Sequence, residues 1–488
     1  GTTPNGRFVL PNGEIGVQNG NASYNRLVRT YPVNSLTFDR SANGWRDFKR
    51  ASLAGDGYNF QPYNYLVTPQ ERFNIFSSGD YQLSKYVRLF FDSYYTKRNS
   101  KQTLAPEPLL LDDANVVVAA DNLYNPFGRD FAIFRRRLVE FGRRKQQQDV
   151  NNFHLTAGID GELPENGLLA GWFWEGVLNY NRNEATQLYR GNIRTTRLQN
   201  AVGSSFVDST GAPRCGTPGS IIEGCVPLNV FGGPGSITQD QIDYLTFTGV
   251  WQGYNQMISG QFNTSGPLFH LAAKRAVSLA AGYEYRILSG GQIPDPITVA
   301  HETSGNSGLP TEGSYKVNEV YAELSVPIVE KVPFADTLEL VAAARGSWYS
   351  NFGSTFNYKL GARWSPIEDV TLRGTYSTAF RAPNIQELFG GVGDTFANVT
   401  DPCAAGVAPG SARARNCGAA ANNGEDKTQL RSRIGGNPEL DPETARIFTA
   451  GLVLRPRNAK NVSFTVDYFN TKVEKTIASV GENVILQS

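Results

Sequence analysis

The sequence predicts an all-β protein: part of a large antiparallel transmembrane β-barrel, with about twelve strands readable. Three observations carry this. Long segments alternate between apolar and polar residues, the period-two pattern of a strand with one dry and one wet face. Many of these segments run ten residues or more, whereas strands of soluble domains average ~5–6 and membrane-crossing strands need ~9–11. Connections alternate between short and long, as in outer-membrane barrels with tight turns at one end and long loops at the other. A soluble β-sandwich also alternates along its half-buried strands, but it has no reason to alternate its loop lengths.

Taken in order, the expected strands cover 70–83, 86–98, 146–163, 168–186, 251–266, 275–290, 314–327, 337–351, 354–364, 369–379, 443–455 and 461–474. In the second, Val87, Leu89, Phe91 and Tyr95 oppose Arg88, Asp92 and Thr96. In the fourth, Trp172, Trp174 and Tyr180 share a face, like the aromatic girdle of a membrane interface. In the sixth, Val277, Leu279, Ala281, Tyr283 and Tyr285 oppose Ser278, Glu284 and Arg286. Val320, Leu324 and Val326, then Leu338, Leu340 and Trp348, then Phe356, Tyr358, Leu360 and Trp364 continue the pattern. Val370, Leu372 and Tyr376, and finally Val462, Phe464, Val466 and Tyr468, complete it. Short connections fall at 84–85, 164–167, 267–274, 328–336, 366–368 and 457–460. Long ones fall at 99–145, 187–250, 291–313 and 380–442, with one short exception near 351–354. No repeat of fixed period appears, which argues against a propeller or solenoid.

Composition agrees. The chain has 488 residues, 46 Lys and Arg against 45 Asp and Glu, and a formal charge of +1. That balance argues against nucleic acid as a partner. There are 28 Phe, 22 Tyr and 50 Gly but 1 Met and 3 His, a mixture suited to turn-rich β structure rather than a helical bundle. A mean hydropathy of −0.34 and the lack of an uncharged apolar run of helix length argue against membrane-spanning helices. The chain starts at Gly1 without a visible leader, which is expected to have been removed or to lie outside the segment.

The chemistry-bearing residues are sparse. Cys215/Cys225 and Cys403/Cys417 lie in loop-like sequence rich in Gly, Pro, Ala and Asn. The spacings favour two small disulfide loops, formed in an oxidising compartment, over free thiols. A zinc site is opposed by the lack of CxxC spacing and of nearby His. His154, His270 and His301 are far apart, and His154 sits in strand alternation as a lumen-facing or structural residue. No GxSxG elbow, phosphate loop or HExxH motif occurs, and no carboxylate pairing nominates a glycosidase. No enzyme activity, cofactor or metal is therefore expected. The Asn422–Asp426 stretch, which could touch calcium, reads as a solvated loop. The sharpest feature is Arg135-Arg136-Arg137, followed by Arg143-Arg144-Lys145. Guanidinium forks match carboxylate and phosphate, so the cluster suits an anionic ligand; a solvated loop face and contact with lipid phosphates are the competing readings.

Several stretches resemble TonB-dependent receptors, the plugged active transporters of the Gram-negative outer membrane. Tyr376-Ser377-Thr378-Ala379-Phe380-Arg381-Ala382-Pro383-Asn384-Ile385-Gln386-Glu387-Leu388-Phe389 is similar to the family's YSxAFRAPxxxEL segment. Gly436-Asn437-Pro438-Glu439-Leu440-Asp441-Pro442-Glu443-Thr444 resembles its GNPxLxPE segment, and Val466-Asp467-Tyr468-Phe469 its VDYF strand. Tyr124-Asn125-Pro126-Phe127-Gly128, the Arg135 cluster and Cys225–Gly233 look like one large proteobacterial branch of the family. Pro383 has no N–H for a strand ladder, so the preceding strand should stop near it.

The resemblance implies a 22-stranded barrel in the bacterial outer membrane, long loops extracellular and short turns periplasmic. It implies active import of a scarce ligand (a ferric siderophore or similar, an oligosaccharide or cobalamin) energised by TonB with ExbB and ExbD, by a monomeric receptor in contact with outer-membrane lipid. Tyr124, Phe127, Arg135, Arg136, Arg137, Arg381 and Glu387 are the candidate ligand-binding residues. Residues 1–57 are expected to be a loop region and 58–488 a partial barrel, with the plug and the C-terminal strands absent from this segment and the segment alone unable to close. A passive or structural barrel (porin or adhesin-like) is the alternative, and a soluble β-rich carbohydrate-active protein a further one.

Overall fold

The computed structural model describes residues 3–9, 35–39, 44–49, 55–111, 116–130, 134–167, 169–404, 406–422, 427–459 and 461–487. Twelve strands build one antiparallel sheet in which every strand lies beside its neighbour in sequence. They are β1 Gln70–Ser84, β2 Val87–Leu104, β3 Arg144–Glu162 and β4 Phe173–Ile193. β5 Thr246–His270, β6 Ala276–Ile293, β7 Thr311–Val332 and β8 Ala335–Tyr349 follow. β9 Gly353–Ile367, β10 Val370–Arg381, β11 Glu443–Leu454 and β12 Phe464–Glu474 complete the wall. All twelve expected strands are present. β10 stops at Arg381, two residues ahead of Pro383.

The register keeps the two faces in phase across the sheet. Tyr283 pairs with Val320, Val320 with Gly346, and Gly346 with Phe356. Leu372 pairs with Leu452, and Leu452 with Val466. These apolar side chains stand largely exposed on one face, as a lipid-facing surface requires. The opposite face is polar. There Glu284 pairs with Glu319 and Glu319 with Ser347. Arg286 Nη1 meets Glu284 at 2.7 Å, the Ser347 hydroxyl donates to Glu319 at 2.8 Å, and Arg345 bridges Glu284 and Glu319. Both glutamates are buried, so they persist because two guanidinium groups and a hydroxyl satisfy them.

Two expected connections are shorter than the sequence suggests. β5 runs on to His270 and β7 to Val332, where 267–274 and 328–336 were expected to be turns. Both strands carry a bulge at a proline, between Pro267 and Phe269 and between Pro327 and Val329. A bulge slips the side-chain alternation by one residue, so the period-two signal fades while the ladder continues. Trp172, expected on a strand face, instead lies in the turn before β4; it is buried and its indole N–H donates to the Pro267 carbonyl at 3.0 Å. At the loop end β5 and β7 start earlier than expected, at Thr246 and Thr311. Ladder hydrogen bonds need no apolar face, so pairing extends past the apolar band.

The long connections all leave from one end of the wall, and there they build a second unit. Five short strands form a sheet in the order Gly44–Asp47, Ser35–Asp39, Arg7–Val9, Phe134–Arg137, Pro108–Leu110. The described part of residues 1–57 thus joins the connection between β2 and β3. A hydrophobic core lies beneath it, centred on Phe8, Phe127, Phe134 and Phe231. The Phe8 ring stands 4.6 Å from Phe134 and stacks on Phe231 at 5.2 Å. Leu198, Leu228, Val230 and Leu245 of the connection between β4 and β5 close the core. Burying so many large side chains makes this loop end a packed cap rather than a set of free loops.

Candidate ligand-binding site

The cap determines where most of the sequence-nominated residues sit. Phe127 is a core ring, and Tyr124 packs against that core. Arg136 is fully buried. Its Nη1 donates to the Val230 carbonyl at 3.0 Å, and its Nη2 donates to the Gly233 carbonyl and to Glu140, each at 2.5 Å. Burial pulls its pKa down, with Glu140 opposing. The guanidinium pins the Cys225–Gly233 stretch to the small sheet. Arg137 is half-buried, donates to the Pro106 carbonyl at 2.8 Å, and lies 5.4 Å from the Tyr58 ring centre. Burial raises the Tyr58 hydroxyl to about 12, with Tyr63 adding to the shift. Arg135 sits half-buried in the same short strand, opposite Arg7 and Leu110. The run Arg135–Arg137 is therefore divided along its strand, with Arg136 turned inward.

Both cysteine pairs are disulfides, with Cα atoms 5.8 Å apart for Cys215–Cys225 and 5.7 Å for Cys403–Cys417. The first encloses the small hairpin of Pro213–Thr217 with Ser220–Ile221, and Asp208 holds the turn that leads into it. That carboxylate accepts from Thr210, from the Ala212 amide at 3.0 Å and from Arg214 at 2.8 Å. Thr210 and Arg214 hold its pKa far below the usual range.

Arg381 and Glu387 come together away from the cap. Asn384 and Glu387 form a reciprocal cap on the Ile385–Phe389 helix, each accepting the other's backbone N–H, at 2.9 Å and 2.8 Å. Arg381 donates to Glu387 at 2.9 and 3.0 Å and to Glu443 at 2.9 Å. The helix then lays Leu388 against Tyr315 and Val317 on the polar face. A Cβ at Gly313 would collide with the Phe389 ring, so the close approach needs glycine there. The two motif stretches 376–389 and 436–444, far apart in sequence, are one structural unit.

His154 is stacked on Tyr94 with ring centres 4.8 Å apart, and it contacts Asn181 and the Thr156 hydroxyl. Residues 423–426 of the calcium-type loop lie outside the described residues. Among the described residues, no cluster of His, Cys, Asp and Glu has metal-site geometry.

Two adjoining cavities open on the polar face just below the cap. The first, about 350 Å3, is lined by Gln146, Tyr189 and Trp251 and rimmed by Asp295, Thr303 and Asn306. The second, about 310 Å3, shares Trp251 and adds Gln148, Gln187, Asn255, Gln292 and Gln386. Register creates this lining. Gln146 pairs with Tyr189, Gln148 with Gln187, and Gln187 with Trp251. Sequence reasoning missed these residues. Their signal was the run Gln146-Gln147-Gln148, which acquires meaning only once neighbouring strands are aligned.

A meander of long strands with an apolar outer face, a polar inner face and a packed loop end defines an outer-membrane-type β-barrel wall. Among the described residues, no helix is long and apolar enough to cross a membrane, which says nothing against crossing by strands. The profile of the TonB-dependent receptor-like β-barrel family matches residues 114–487, and the chain belongs to that family of outer-membrane transport receptors. Among solved structures it is similar to the ferric-catecholate import receptor Fiu of E. coli K12 in its closed form. Identity there is 11%, over 92% of this chain and 54% of that one, with a TM-score of 0.44. The RagAB peptide transporter matches at 10% identity over 83% of this chain and 40% of that one, TM-score 0.44. The siderophore receptor PirA of Acinetobacter baumannii matches at 12% over 83% and 53%, TM-score 0.31. The chain spans between 40% and 54% of the length of these proteins.

Proposed function

We propose that this chain is barrel wall and loop cap of a TonB-dependent importer that carries a scarce ligand across the bacterial outer membrane. Residues 58–488 supply wall, and 1–57 supply loop. The cap faces the outside and the short turns face the periplasm. TonB, with ExbB and ExbD, energises the transport, and the receptor works as a monomer. The observation that carries this reading is the family match over 114–487. The loop cap and the polar cavities beneath it support it, since a ligand held there is on the path along the polar face. Arg381, Glu387 and Arg136 serve as braces for the surface the ligand meets, and Tyr124, Phe127, Arg135 and Arg137 belong to the cap that covers it.

Two measurements test the proposal. The intact receptor should bind the purified periplasmic domain of TonB in calorimetry, and no binding would overturn the import reading. For sidedness, Glu223→Cys in the cap connection should react with a membrane-impermeant maleimide on intact cells, while Asn166→Cys in the turn after β3 should react only after lysis. The reverse pattern would invert the orientation.

A further inference from the structure

Three charged side chains at or beside the two cavities, Arg144, Asp295 and Arg98, are already engaged. Arg144 donates to the Ala105 carbonyl at 3.0 Å and pairs with buried Glu107 at 3.2 Å. Asp295 caps the Pro296–Val299 helix, accepting from Ile297 and Thr298 amides at 3.0 Å and from the Thr298 hydroxyl at 2.7 Å. Arg98 donates to Gln148 at 2.6 Å. What faces the open space is amide and aromatic. Asn192, Asn255, Gln292 and Gln386 make no side-chain hydrogen bond among the described residues. Tyr189 and Trp251 stand between them with ring centres 5.8 Å apart and planes inclined at 58°.

Each amide side chain offers both a donor and an acceptor, which matches a hydroxyl group. Rows of them on adjacent strands lie about 4.8 Å apart, a spacing that repeats along the wall as hydroxyls repeat along a chain of sugar rings. Indole and phenol faces are electron-rich and suit the C–H faces of such rings. An anionic ligand needs cations directed at it. Lys145 and Arg190 touch the first cavity, but they pair with each other across β3 and β4 in the register that alternates with the Gln146–Tyr189 pair, so they belong to the opposite face.

We infer that these cavities bind an uncharged, polyhydroxylated ligand, a neutral oligosaccharide, with Trp251 as the stacking platform and the amides of Gln146, Gln148, Gln187, Asn255 and Gln292 as hydroxyl partners. The inference rests on the import reading and specifies its cargo.

The test is calorimetry on the intact receptor in lauryldimethylamine oxide, a sugar-free detergent. The probes are the hexaoses of the malto, xylo, cello and manno series, with ferric enterobactin and ferric citrate as anionic competitors. At least one neutral hexaose should bind saturably. Trp251→Ala should weaken it about tenfold, the loss of one aromatic anchor, and Trp251→Phe should recover most of that. The double variant Gln146→Ala/Gln187→Ala should weaken it several-fold, and Lys145→Ala should leave it unchanged. Heat-modifiable migration on gels shows that each variant is folded. No hexaose binding, sugar binding indifferent to Trp251, or binding of a ferric probe that depends on Lys145 would overturn the inference. The two readings fail separately: TonB binding without sugar binding removes only this one, and sugar binding without TonB binding removes only import.

Discussion

Arg381 and Glu387 lie six residues apart and are joined by two parallel hydrogen bonds, at 2.9 and 3.0 Å. The same guanidinium grips Glu443 at the start of β11. One side chain thus ties the end of β10, the helix after it and the first residue of the next strand. Bidentate geometry of this kind needs the planar fork of arginine.

Arg381→Lys should therefore loosen the helix without harming the wall. The pair is partly exposed, so solvent screening limits its worth to about 1 kcal/mol. Hydrogen exchange of peptides covering 385–389 should speed up several-fold, with β10 and β11 unchanged. Equal loss of protection in both strands would contradict this local role.

Arg381 holds the Glu387 carboxyl below its ordinary value of 4.5, burial opposing in part. A folded pKa that is lowered favours the ionised form, so its contribution to stability is complete above 4.5 and drains away as the pH falls below it. Helix protection should be flat from about pH 5 to pH 8 and should fall under stronger acid. Glu387→Gln should lose the acid-dependent step. Protection that decreases between pH 5 and pH 8 would refute the assignment.

Arg136→Met should cost about 3–5 kcal/mol, because it strands the Glu140 carboxylate and the Val230 and Gly233 carbonyls in a buried site. Limited proteolysis should then cut within the cap while the twelve-stranded wall resists. Arg136→Lys should rescue little, since an ammonium cannot span all these partners. If Arg136 instead contacts ligand directly, the cap will resist protease and only binding will fall.

The two disulfides should differ in their resistance to reductant. Cys215 and Cys225 are buried, whereas Cys403 and Cys417 are partly exposed. Thiol exchange needs access to sulfur. Graded dithiothreitol followed by alkylation and mass spectrometry should label Cys403 and Cys417 first. Cys215→Ser/Cys225→Ser should cost about 2–3 kcal/mol of local stability and open the 216–224 segment to protease. Simultaneous labelling of both pairs would contradict the order.

The wall was legible because its signal is local. Period-two alternation needs only neighbouring residues, and Phe356, Tyr358, Leu360 and Trp364 declare their face without reference to another strand. Where a bulge slips the alternation, at Pro267 and Pro327, the local signal failed and the expected turns came out too long. The disulfides were legible for a similar reason, since each pair closes a short loop.

The cap and the cavities were not. Arg136 reads as a surface cation beside Arg135 and Arg137, and only its contacts with Val230 and Gly233, about a hundred residues on, put it inside. Phe8, Phe127, Phe134 and Phe231 come from segments that no periodicity connects. Gln146, Gln187 and Trp251 face one space because β3, β4 and β5 align in one register out of several that alternation would allow. Alternation specifies which face a residue takes, an intrinsic property of an extended chain. Which residues meet on that face depends on strand register and loop packing, and those are long-range choices that the folded chain alone makes.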